Sequence, residues 1–197
     1  RSSGKMGVAL AEEALDRGAL VTLLAGVMDV PPPGGIQVER AVTALDMSAK
    51  LNSLFSNCDV LLMAAAVGDY RAEHVAEDKL RRQDEPLQVS FLPNPDILAG
   101  LARERRAEQV LVGFALETDT TPEAGKDKLS RKGVDLLVVN HPSSAIGGDT
   151  NEVTLLEPGK EPRNLPVLPK REVARKIMDW IVKRRAHEGS TGRARRA

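Results

Sequence analysis

The sequence predicts an α/β domain: a doubly wound, mostly parallel sheet with a C-terminal β-hairpin and a final helix. Three observations carry this. Short apolar runs alternate along the chain with segments whose apolar residues recur at helical spacing. The clearest of these runs, Asp59 to Ala66 and Val110 to Ala115, are near-continuously apolar, as in strands covered on both faces. Joints rich in Gly, Pro and Asn separate them.

The elements follow in order. Met6, Ala9, Leu10, Ala14 and Leu15 share a helical face, and Gly18 stops that helix. Leu20 to Ala25 is a buried-type strand, Val30 to Gly35 a loop, and Ile36 to Val42 a second strand. Thr43 caps a helix to Ser56 with Leu45, Leu51, Leu54 and Phe55 on its apolar side. Asp59 to Ala66 is the clearest strand and leads into Val67-Gly68-Asp69-Tyr70-Arg71. His74 to Glu85 is polar loop, and Leu87 to Leu92 a strand. Pro93-Asn94-Pro95-Asp96 starts a helix carrying Ile97, Leu98 and Leu101. Val110 to Ala115 is a strand, Pro122 to Lys132 a helix, and Val134 to Val139 a strand. After a loop from Asn140 to Asn151, Glu152–Glu157 and Arg163–Val167 pair around Pro158-Gly159. Lys170 to Arg185 forms the final helix, with Val173, Ile177, Trp180 and Ile181 on one face. Residues 1–186 thus form one domain, and the basic segment 187–197 is expected to be a disordered tail.

Composition narrows the function. With 28 basic and 28 acidic residues the net charge is +0, which argues against coating nucleic acid or an anionic membrane. A single cysteine, Cys58, excludes an internal disulfide and a cysteine metal cluster, and fits a reducing, cytoplasmic setting. No run is long and apolar enough to cross a bilayer. His74, His141 and His187 are scattered and suggest no metal cluster. Cys58, just before a strand, reads as buried rather than nucleophilic.

In this architecture ligands sit beyond the carboxyl ends of the strands. Four sequence features lie there or at helix starts. Ser2-Ser3-Gly4-Lys5 reads equally as an ordinary helix cap and as an anion site built from N–H groups, hydroxyls and a cation. Ala64-Ala65-Ala66-Val67-Gly68-Asp69 offers small residues beside which a base or ribose can lie, plus a carboxylate; it also reads as a tight turn. Lys79, Lys128 and Lys132 are each ordinary surface cations alone, but together suit a triphosphate. Asn94-Pro95-Asp96-Ile97 is a capping sequence with exposed N–H groups.

These segments, with Val112-Gly113-Phe114-Ala115 and the Lys128/Lys132 pair, occur in one order in a known family. From Arg1 to about Arg185 the chain resembles the phosphopantothenate–cysteine ligase domain of bacterial bifunctional coenzyme A biosynthesis proteins. The resemblance implies a Rossmann-like, CTP-dependent ligase that joins 4′-phosphopantothenate to cysteine through an acyl-cytidylate. It implies that Ala64, Ala65, Asp69, Lys79, Pro95, Asp96, Ile97, Leu98, Phe114, Lys128 and Lys132 line the CTP site, with Lys79 steadying the reacting phosphate. Ser2, Ser3, Gly4 and Lys5 would lie near phosphopantothenate, and Asn140 is a further substrate-side candidate. Magnesium is expected with the triphosphate, its ligands unassigned. A homodimer is implied, with the hairpin after Asn151 contributing, as is fusion to a flavin-dependent decarboxylase.

The family carries a strand, a glycine-rich turn and an asparagine ahead of the Ser-Ser-Gly-Lys motif, so the abrupt start at Arg1 is read as a boundary with residues missing upstream. Arg81 and Arg82 stand where lysines are common. Two other readings stay open: an NAD(P)-dependent oxidoreductase, for which Asp29 stands at the right distance but the glycine fingerprint is absent, and a non-catalytic nucleotide-binding remnant.

Overall fold

The computed structural model describes residues 3–76, 78–82, 86–116, 122–141 and 148–194. Its centre is a five-stranded sheet in the order β3 (Val60–Met63), β6 (Val110–Leu116), β7 (Leu136–Asn140), β8 (Thr150–Leu156), β9 (Arg163–Pro169). The first three strands are parallel, and β8 and β9 add antiparallel as the C-terminal hairpin. Two smaller pairs flank it. β1 (Thr22–Ala25) runs parallel to β2 (Gln37–Arg40), and β4 (Tyr70–Ala72) antiparallel to β5 (Phe91–Pro93). The described helices are α1 (Lys5–Asp16), α2 (Ala44–Phe55), α3 (Ile97–Glu104), α4 (Pro122–Lys132) and α5 (Lys170–Ala194).

The double winding is written into strand parity. Val110, Val112, Leu136, Val138, Val153 and Leu155 pack with Ala9, Leu10 and Ala14 of α1 and Val173, Ile177 and Ile181 of α5. Leu111, Ala115, Leu137 and Val139 project to the other face. They pack with Met47, Leu51 and Phe55 of α2, Ile97, Leu98 and Leu101 of α3, and Leu129 of α4. Each buried Leu, Ile or Val of these two cores contributes about 1.5–3 kcal/mol.

Local chemistry sets the helix ends. The Thr43 hydroxyl accepts from Asp46 N–H (3.0 Å) while Asp46 accepts from Thr43 N–H (3.3 Å), a reciprocal capping box. Gly18 follows α1 at φ 80°, the left-handed region that glycine enters without strain. An ionic seam joins α1 to α5: Arg171 contacts Glu12 (2.8 Å), Glu13 (3.2 Å) and Asp16, and Arg17 bridges Glu13 (2.8 Å) and Asp179 (2.7 Å).

Several expectations are corrected. Leu45 is exposed, since Met47, Leu51 and Phe55 form the buried stripe of α2 at i, i+4, i+8. The strand expected over Leu87–Leu92 begins only at Phe91; Leu87 and Val89 are exposed. Its partner, Tyr70–Ala72, lies in the stretch after Asp59–Ala66 to which the sequence assigns no element. The final helix runs past the expected end at Arg185 to Ala194, with the His187 ring nitrogen Nδ1 2.8 Å from the Lys183 carbonyl; the last three residues of the expected tail lie outside the described residues.

Candidate functional site

A cavity of about 320 Å³ opens beyond the carboxyl ends of β3, β6 and β7. Open α/β sheets bind their ligands in the crevice outside the carboxyl ends of the strands, between the connections that leave there. One wall is the continuation of β3, Ala64 to Asp69; the opposite wall is Asn94 to Leu98, the start of α3. Phe114 and Leu116 come from β6, Asn140 from β7, and Lys128 and Lys132 from α4.

The two walls are tied together. Asn94 donates through Nδ2 to the Gly68 carbonyl (2.8 Å), and its backbone N–H donates to the Asp69 carbonyl (2.7 Å). Arg71 reaches back to the Pro93 carbonyl (2.6 Å) and Asn94 Oδ1 (3.3 Å). The β4–β5 ladder continues this clamp, and its Tyr70 and Phe91 side chains face solvent. Small side chains at Ala64, Ala65 and Ala66 leave room for a flat ring against backbone, with Phe114 as the aromatic surface of the lining.

Charge in the cavity is balanced. Asp96 caps α3, accepting from Ala99 N–H (3.2 Å), and takes the Lys132 ammonium at 2.7 Å. Burial pushes the Asp96 carboxyl up, but the Lys132 and Ala99 donors outweigh it and hold it below the usual carboxylate range. Lys132 is thereby fixed at the rim with its charge in the cavity. Asp69 supplies the second carboxylate of the lining.

Of the residues expected from the sequence, Ala64, Ala65, Asp69, Pro95, Asp96, Ile97, Leu98, Phe114, Lys128, Lys132 and Asn140 meet here. Lys79 does not: it sits in an exposed irregular segment outside the lining. Ser2 lies outside the described residues. Ser3, Gly4 and Lys5 stand at the start of α1, also outside the lining. Gly4 is there at φ 78°, and a Cβ on it would meet Met28 at 2.8 Å, so glycine is required on both counts. The Ser3 carbonyl accepts from Asp29 N–H (3.0 Å).

One segment links this helix start to Asn140. Lys5 Nζ pairs with Asp149 at 2.7 Å. Asp149 precedes Thr150 and Asn151, and Asn151 Nδ2 donates to Asn140 Oδ1 (2.7 Å). Lys170, only 7% exposed, holds the segment from beneath through the carbonyls of Gly148 (2.5 Å) and Thr150 (3.1 Å). Burial, then the nearby Lys5, push its ammonium below the ordinary lysine value. Sequence reasoning missed Asp149, Asn151 and Lys170. For Asn151 a signal existed: it shares parity with Val153 and Leu155, the inward residues of β8.

Among the described residues no three His, Cys, Asp or Glu side chains cluster to hold a metal, and no helix is long and apolar enough to cross a membrane.

Residues 1–184 match the family model described as DNA/pantothenate metabolism flavoprotein C-terminal domain. The chain is 35% identical over 189 residues to the coenzyme A biosynthesis bifunctional protein CoaBC of Escherichia coli (strain K12), covering 93% of this chain and 46% of that protein. It therefore spans about half the length of that curated relative. A crystal structure of the C-terminal domain of coenzyme A biosynthesis bifunctional protein CoaBC superposes with a TM-score of 0.76 at 34% identity, covering 91% of this chain and 82% of that one. A Cab2 mutant solved in complex with phosphopantothenate-cysteine shares the fold, with a TM-score of 0.75 at 17% identity over 96% of this chain and 81% of the other.

Proposed function

The chain belongs to the DNA/pantothenate metabolism flavoprotein C-terminal domain family, and from that premise we propose that it is a CTP-dependent ligase joining 4′-phosphopantothenate to the amine of cysteine. The observation that carries this reading is the cavity: one strand-end pocket brings small residues, an aromatic ring, two carboxylates and two α4 lysines together. Its volume, about 320 Å³, lies within the usual range of ligand sites. The same fold in a structure holding phosphopantothenate-cysteine, and the coenzyme A biosynthesis relatives, point to the same chemistry.

The balanced reaction has two steps. The phosphopantothenate carboxylate attacks the α-phosphorus of CTP, forming an acyl-cytidylate as pyrophosphate leaves. The cysteine amine then attacks the acyl carbon, forming the amide as CMP leaves and the amine proton is lost. In this reading Phe114 and Ala64–Ala65 flank the cytosine, Asp69 accepts from its amino group or a ribose hydroxyl, and Lys128 and Lys132 meet the phosphates. Lys132 must exchange Asp96 for phosphate, a partner of higher charge. The N–H groups at the start of α3, beside Pro95 to Leu98, add to the same field. Magnesium would enter as an ion carried by the triphosphate, and the carboxylates that could meet it are Asp69 and the Asp96 that Lys132 releases. When bound it offsets phosphate charge. Lys79 retains its proposed role of steadying the reacting phosphate if its segment approaches on binding. A homodimer, a fused flavin-dependent decarboxylase and a cytoplasmic setting complete the proposal. The exposed Tyr70 and Phe91 of β4–β5 are a second candidate surface for dimerisation beside the C-terminal hairpin.

A second reading, a nucleotide-holding module without turnover, is favoured by one observation: Lys79 and the Ser3–Lys5 start stand outside the cavity lining. A coupled pyrophosphate-release assay with phosphopantothenate, CTP, magnesium and cysteine separates the two. The ligase releases pyrophosphate only when the first two substrates are both present, and Lys79→Gln suppresses the signal with the fold intact. Calorimetric CTP binding without pyrophosphate release identifies the module, and no binding at millimolar CTP refutes both.

A further inference from the structure

Asn151 is 2% exposed and sits where the β8–β9 register shifts between Asn151 and Val153, an irregularity of the kind that re-aims side chains. Its Nδ2 donates to Asn140 Oδ1 (2.7 Å), and Asn140 Nδ2 donates to the Ala115 carbonyl (3.0 Å). The sense of this relay is fixed at its far end. A backbone carbonyl can only accept, so Asn140 must present nitrogen to Ala115 and oxygen to Asn151, and Asn151 must answer with nitrogen. A carboxamide nitrogen has two hydrogens. The one not given to Ala115 belongs to a side chain that lines the cavity.

The arrangement has a cost. Asn151 Oδ1 is buried with no hydrogen-bond partner among the described residues. An apolar residue there would carry no such penalty, so the asparagine's contribution lies in its nitrogen. Asn151 also continues the segment that Lys170 holds and Asp149 ties to Lys5. It therefore couples the orientation of a cavity group to the start of α1.

We propose that Asn151 is a positioning residue: it locks the Asn140 carboxamide with one amide hydrogen turned to the cavity, as a donor to an oxygen of the acid substrate. The substrate part rests on the ligase reading above; the locking part does not. Asn151 touches no ligand, and everything it does passes through Asn140.

A double-mutant cycle tests this, with dissociation constants for phosphopantothenate and CTP measured calorimetrically on wild type, Asn140→Ala, Asn151→Ala and the double variant. Asn140→Ala is expected to weaken phosphopantothenate about tenfold, as loss of one hydrogen bond does. Asn151→Ala is expected to weaken the same ligand several-fold and CTP less than twofold, and the double variant to be no weaker than Asn140→Ala alone. Additive losses, equal weakening of both ligands, or an Asn151→Ala variant that binds like wild type would overturn it. A second measurement needs no ligand. In the free protein the Asn140 side-chain amide is expected to give two resolved NMR signals, one protected from solvent exchange, and Asn151→Ala to abolish that protection while backbone spectra stay native. Unchanged protection, or an Asn151→Ala variant without native spectra, refutes the locking. If wild type binds neither ligand, the ligase reading fails and the locking is decided by this measurement.

Discussion

Gly113 offers a direct test of how tightly the cavity wall is built. It lies in the middle of β6, paired with Met63 on one side and Leu137 on the other. A Cβ built there meets Leu98 Cδ2 at 2.7 Å, Leu137 Cδ1 at 3.4 Å and Val134 Cγ1 at 3.7 Å. The first distance is about 0.8 Å short of the ~3.5 Å at which carbons rest. Leu98 is 6% exposed and packed among Ile97, Leu101 and Leu137, so its tip cannot swing inward. It must move toward the cavity it lines. Overpacking of this kind costs about 1–3 kcal/mol. Replacing glycine in a strand returns about 0.5–1 kcal/mol. The net loss for Gly113→Ala centres on about 1.3 kcal/mol, or a fall in Tm of about 3–5 °C at about 2–4 °C per kcal/mol for a chain of this size. The assay is paired: thermal unfolding by circular dichroism, and calorimetric CTP affinity, which should fall because Leu98 intrudes. An unchanged or raised Tm would refute the packing argument, and an unchanged affinity with lowered Tm would detach Leu98 from the binding wall.

Two further outcomes follow from the charges and the thiol. Lys132→Met removes the partner of a half-exposed carboxylate, so it should cost at most about 1 kcal/mol at pH 7, while weakening CTP about tenfold. Because the folded Asp96 carboxyl lies below its unfolded value of about 3.9, the pair stabilises above that pH and its contribution fades as Asp96 takes up a proton. Urea unfolding should show the gap between wild type and variant narrowing as pH falls below about 3.9 and Asp96 takes up its proton; a gap that does not narrow contradicts this. Burial pushes the Cys58 thiol up, only partly offset by Arg106, so little thiolate forms at neutral pH. Iodoacetamide at pH 7 should modify it at least about tenfold more slowly in the folded protein than in urea, and equal rates would show Cys58 to be freely reactive.

Much of the fold was legible because its core strands are covered on both faces. Val110–Ala115 and Leu136–Val139 are apolar at every position, and parity alone then assigns Leu111 and Val112 to opposite cores. The boundaries of α4 at Pro122 and Lys132 were legible from the proline start. What failed was short and exposed. Tyr70–Ala72 becomes a strand only because Phe91–Pro93 returns to meet it across a long polar segment, a pairing no local window contains. Leu45 looked buried because an apolar residue at a helix start counts toward periodicity whether or not anything covers it. Much of the cavity lining was readable from small residues at a strand end and from the Lys128/Lys132 spacing. The Asn151–Asn140 relay was not, because hydrogen bonding between side chains on different strands depends on how β7 and β8 pair, and no local window contains that pairing.

The opposite end of the sheet has its own polar network. Asp135, just before β7, accepts from Leu111 N–H (2.9 Å) and from Arg105 (2.6 Å), with Arg184 at 3.5 Å. Gln109, just before β6, binds the Phe55 and Cys58 carbonyls (2.7 and 2.8 Å). These contacts join α2, α3, α5 and two strands at the greatest remove from the cavity. The protein thus separates its foundations from its working surface. Exposed positions such as Ala65, Ala66 and Asp69 can change at little cost in folding, whereas Asp135 and Gln109 help decide whether there is a folded surface at all. Such a division lets one scaffold change what its cavity admits without being rebuilt.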